Sequence, residues 1–162
     1  MKRLIAPFVL MVCAALPASA ETLPEQIRSE ASRLLVQVNA AQAAATAKAG
    51  LKPAGLAPAL TGDLQRFGLA ASRLSLEIDQ RGGPVDLRCI FRGMAEETDV
   101  QLKLASSATT GTAQAAALSR LLHMLKDAVQ ITPAVGGGAA AQKKAAANLK
   151  SAAAKCEAVR DF

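Results

Sequence analysis

The chain contains no tryptophan and no tyrosine, and its four phenylalanines leave aromatic residues at 2% of 162 positions. Without flat side chains in number there is no stacking platform for sugars or bases, which argues against a carbohydrate or single-stranded nucleic-acid site. Histidine is equally scarce: His123 stands alone. The three cysteines, Cys13, Cys89 and Cys156, lie too far apart for the CxxC of thiol redox catalysis or the CxxCH of covalent haem attachment. GxSxG, HExxH and a phosphate-binding glycine loop are missing too, and the glycines at Gly136–Gly138 lack the strand that such a loop grows from. Catalysis is therefore not the expectation, and no cofactor or metal is assigned.

What is present begins with an export pattern. Lys2 and Arg3 precede an apolar run over Leu4–Leu16, and Ala18-Ser19-Ala20 supplies the small residues of a cleavage site. This predicts a signal peptide over residues 1–20, cut after Ala20, and a periplasmic or secreted protein. The run is shorter than the roughly 20 residues of a membrane span, with Pro7 inside it and Pro17 at its end, so a retained anchor is not predicted. Val12 ahead of Cys13 does not fit lipid attachment, where a small residue is wanted. Cleavage lowers the net charge from +6 to +4 by removing Lys2 and Arg3. The remaining charge is spread along the chain, so nucleic acid is not an expected partner, and no later segment is apolar enough to span a bilayer.

Residues 21–162 read as a single all-α domain, an antiparallel bundle of four to five helices. Thr22-Leu23-Pro24-Glu25 joins a capping box to an early proline. Leu23, Ile27, Ala31, Leu34, Val38, Ala41 and Ala45 then form one apolar stripe, ending near Gly50. Leu51–Pro58 is a connector with two prolines and a glycine. Leu60, Leu64, Phe67, Ala71, Leu74 and Ile78 make the second stripe, with Asp63, Arg66, Arg73, Glu77 and Asp79 off its line. Gly82-Gly83-Pro84 predicts a left-handed cap followed by a new helix bearing Leu87, Cys89, Ile90, Phe91 and Met94. Leu118, Leu121, Leu122, Leu125 and Val129 form the next stripe, closed by Thr132-Pro133 and a connector over Ala134–Gly138. A last helix is expected from Ala139 to Arg160, with Ala145, Leu149, Ala152, Cys156 and Val159 on its apolar side. Its Lys143, Lys144, Lys150 and Lys155 lie opposite, as on any solvated face. Alanine blocks at 40–47, 113–117 and 139–154 favour helix and close approach but bury little area, so the core should be thin for the chain's length.

Two cysteines remaining in an exported chain predict one disulfide, Cys89–Cys156. Closing so long a loop is worth on the order of 4 kcal/mol by the loop-entropy model. Helix direction opposes it. If the chain reverses only at Ser106–Thr112 and Thr132–Gly138, the third and last helices run parallel, and their cysteines stand roughly 20 Å apart along the bundle. A disulfide needs Cα atoms about 5.5 Å apart. A break near Glu96–Asp99, where Thr98 and Gln101 have capping-box spacing, would add the reversal that brings the sulfurs together.

The remaining site candidates are weak. A histidine and a methionine within a bundle are what a four-helix cytochrome uses for haem, which singles out His123 and Met94. His123, however, lies about 140° from the centre of its own helix's apolar stripe, so it should face solvent, and Met94 should fill core space. Glu96, Glu97 and Asp99 offer oxygens to a cation but are explained equally by a solvated helix end. The first expectation is thus a non-enzymatic envelope interaction or structural protein, contacting an envelope partner through an exposed leucine face. The second is a bundle that binds haem, a metal or an apolar ligand.

Overall fold

The computed structural model describes residues 21–136, which form four α-helices and, within that range, no strand. These are α1 (Leu23–Thr46), α2 (Pro58–Gln80), α3 (Val85–Ser107) and α4 (Gly111–Gly136). No described helix is long and apolar enough to cross a membrane. The expected signal peptide, Cys13, the helix over 139–160 and Cys156 lie outside the described residues.

Local chemistry sets the helix ends. At Thr22 the Glu25 carboxylate accepts from the backbone N–H at 2.9 Å and from the hydroxyl at 2.7 Å. These bonds, the backbone one foremost, hold Glu25 below the usual carboxylate range. Pro58 opens α2 at a position whose N–H would have no helical acceptor. Gly82 adopts φ +64°, and bonds from Gly83 N–H to Ile78 O and from Gly82 N–H to Asp79 O form a Schellman cap.

Contacts fix the topology as up-down-up-down. The Ser75 hydroxyl donates to Arg88 O at 2.9 Å, and Gly68 faces Thr98, so α2 and α3 are antiparallel. Arg120 pairs with Glu97 and Gln114 with Ala105, which makes α3 and α4 antiparallel as well. Gly111 and Thr112 pack on the end of α1, closing the ring, and the most extensive packing is α1 on α4 and α2 on α3. The start of α3 and the end of α4 therefore share one end of the bundle.

The core follows the stripes. Ile27, Ala31, Leu34 and Val38 of α1 meet Leu64, Phe67, Ala71 and Leu74 of α2, Leu87, Phe91 and Met94 of α3, and Leu118, Leu121 and Leu125 of α4. Phe67 and Phe91 are wholly buried. At about 1.5–3 kcal/mol for each large apolar side chain removed from water, these positions account for most of the drive to fold.

Three expectations are corrected. α3 does not break near Glu96–Asp99 but is one continuous helix. Thr98 is buried and bonds back to Met94 O at 2.7 Å, while the Gln101 amide donates to Glu97 at 3.1 Å, so neither acts as a cap. α4 does not stop at Thr132-Pro133 but continues to Gly136, and Ala134–Gly136 are helical rather than connector. Proline removes one N–H near the end of a helix whose preceding turns are held by core packing of Ala128, Ile131 and Thr132. Asp63, read as off the core line, is buried.

Candidate functional site

The alanine-rich half of α1 and the proline-bearing connector enclose a half-open cleft of about 430 Å³ at the bundle end where α1 stops and α2 starts. Ala41, Ala44 and Ala45 form one wall, the connector residues Ala54–Ala57 the opposite one, and Leu60 lines it from α2. Small side chains create this space: a methyl group reaches too short a distance to fill the gap that a leucine would close. Gln37, Lys48 and Gln114 are its polar contributors, and no acidic residue lines it.

The connector wall is held in place by α4. Gly111 N–H donates to Leu51 O at 2.9 Å and Thr112 N–H to Ala49 O at 3.0 Å. These first-turn N–H groups have no acceptor within their own helix, so the connector's carbonyls complete the helix end. Gln114, itself buried, donates its side-chain amide to Ala54 O at 3.1 Å and to Ala105 O at 3.2 Å, tying the connector to the last turn of α3. The approach is close because Gly111 has no side chain: a Cβ there would stand 2.2 Å from Ala45 O.

A second polar feature joins α1 to α2. Asp63 accepts from both Arg33 and Arg66, and Glu30 lies 3.7 Å from Arg33. The Arg33 hydrogen bond above all holds the Asp63 carboxyl below its ordinary range, against the opposing effect of desolvation. Desolvation pushes Glu30 upward, partly offset by Arg33 and Arg66. Each arginine in this group is paired with a carboxylate, which suits a structural tie better than a catalytic acid.

The sequence-derived candidates His123 and Met94 stand in opposite surroundings, one exposed and one in the core. His123 is exposed on α4, where its imidazole partly offsets the desolvation that raises Asp127 one turn later. Met94 is buried in the core. Cys89 is half-buried in the second turn of α3 and is the one cysteine among the described residues. The acidic cluster of α3 is engaged residue by residue on the helix surface: Glu96 with Arg92, Glu97 with Arg120 and Asp99 with Lys103. Among the described residues, no three His, Cys, Asp or Glu side chains assemble into a metal-holding group. The cleft was missed from sequence because its walls read as low-complexity alanine and as linker. Two prolines with a glycine beside an alanine block were the available signal.

Comparison with known proteins finds no matching family model, curated relative or solved structure.

Proposed function

We propose that the chain is a non-enzymatic helical-bundle protein, exported by a signal peptide cleaved after Ala20, that works in the periplasm or outside the cell by contacting an envelope partner. The observation that carries the reading is the set of large apolar residues left on outer helix faces. Leu69 is 62% exposed and Leu76 59%, two turns apart on the side of α2 opposite its core stripe. Val100 and Leu104 stand one turn apart and similarly exposed on α3. Apolar side chains repeated along one face suit contact with another apolar surface better than contact with water. Crosslinking in intact cells tests it. The native chain should give one specific adduct in the envelope fraction, and a Leu69→Asp, Leu76→Asp double variant that stays folded should lose it. A chain found in the cytosol, or one that crosslinks to nothing, contradicts the reading.

The disulfide Cys89–Cys156 belongs to the same proposal. It is supported by the expected oxidising compartment and by the antiparallel order, which starts residues 137–162 from the bundle end that holds Cys89. The 20 residues from Gly136 to Cys156 can span at most about 70 Å, ample for a return to Cys89. A single helix over 139–160 rising beside α3 would instead carry Cys156 away from it. Pairing within one chain thus requires residues 137–156 to double back.

A second reading is favoured by the cleft: binding of a small apolar ligand between α1 and the connector. Its volume falls within the range of about 300–1,000 Å³ that small-molecule sites span.

A further inference from the structure

We infer that the cleft takes a single-chain amphiphile with an anionic headgroup, of the fatty-acid class, its hydrocarbon among Ala41, Ala44, Leu56 and Leu60 and its carboxylate at Lys48. This rests on the apolar-ligand reading above and adds the sign of the headgroup and the number of chains.

Three observations carry it. The lining is apolar apart from Gln37, Lys48 and Gln114, and the Gln114 amide is already engaged by Ala54 O and Ala105 O. That leaves Lys48 as the one charged group on the cleft wall, with no acidic residue beside it in the lining and no ion pair of its own among the described residues. An ammonium at the edge of an apolar cleft attracts a carboxylate and repels a cationic headgroup. Finally, a volume of about 430 Å³ suits one hydrocarbon chain better than the two chains of a membrane phospholipid. The wall is preformed, since the connector is bonded to α4 at Leu51, Ala49 and Ala54, so little ordering opposes binding.

Titration calorimetry on the chain over 21–162 with dodecanoate, dodecanol and dodecylammonium, each below its aggregation concentration, tests the inference. Dodecanoate should bind once per chain and more tightly than dodecanol, and dodecylammonium should bind least. Lys48→Gln should weaken dodecanoate about fivefold, the equivalent of about 1 kcal/mol for one partly exposed ion pair, and leave dodecanol unchanged. Ala44→Leu, which fills the cleft from an exposed helix position, should weaken both at least tenfold while circular dichroism stays native. If dodecanol binds as tightly as dodecanoate and Ala44→Leu weakens both, the ligand reading stands and the anionic assignment falls. If no amphiphile binds, or Ala44→Leu changes nothing, both fall.

Discussion

Two glycines should respond oppositely to one added methyl group. Gly93 sits in the middle of α3, where an added Cβ would meet nothing within 4 Å, so Gly93→Ala should gain up to about 1 kcal/mol from helix propensity alone. Gly111 faces the backbone at the end of α1 and in the turn after it, with Ala45 O at 2.2 Å and Lys48 O at 2.6 Å from where the Cβ would lie. Backbone cannot swing aside as a side chain does, so Gly111→Ala should cost on the order of 1–3 kcal/mol. Urea unfolding of the two variants beside the native chain reads both signs. Asp63 adds a pH dependence. Its folded carboxyl holds a proton more weakly than the unfolded one, chiefly through Arg33, so its contribution is complete above the unfolded value of about 3.9 and is lost as the pH falls below it. Asp63→Asn should therefore lower stability at neutral pH and flatten the acid limb of the stability curve. An unchanged acid limb would remove Asp63 from the tie between α1 and α2.

At the scale of the helices, the uninterrupted course of α3 has a direct consequence. Amides over Glu96–Asp99 should exchange as slowly as those of Phe91 and Leu102, because all belong to one helix packed on α2 and α4. Faster exchange confined to that segment would restore the break. Thr98 misleads for a physical reason. Its spacing to Gln101 is that of a capping box, but a hydroxyl can equally bond back one turn, and burial against Gly68 and Met124 selects that alternative. Stripes and ends that depend on neighbours in sequence were legible: Ile27 to Val38, Leu60 to Ile78, the Thr22–Glu25 box and the Gly82 cap. What was not legible depends on contacts between distant segments. Pro133 reads as a stop because its defect is local, while the packing that carries α4 past it is tertiary. Asp63 reads as surface because Arg66, three residues on in the same helix, is an ordinary surface partner, while Arg33 becomes its partner only when α1 lies against α2. The cleft likewise needs Gly111 and Gln114 to fix the connector, some sixty residues away in sequence.

For the whole molecule, four helices of 23–26 residues pack through Phe67, Phe91 and a set of leucines, with isoleucine, valine, methionine and alanine between them. Phe67 and Phe91 are the largest wholly buried side chains, so each matters: Phe91→Ala should cost about 3–5 kcal/mol, a large share of the 5–15 kcal/mol typical of a domain, and should be visible as a much lower melting temperature. A covalent link to the segment beyond Gly136 would matter for the same reason, since on the order of 4 kcal/mol from loop closure compares with the whole net stability. Export, cleavage and pairing of the sulfurs stand or fall together on the material that reaches the envelope. The most direct measurement is the intact mass of that material without reductant, followed by thiol titration in denaturant. The account predicts a chain beginning at Glu21, lighter than its reduced form by two hydrogens, with no titratable thiol and a Cys89–Cys156 peptide on digestion. A chain beginning at Met1, or one carrying two free thiols, would contradict it.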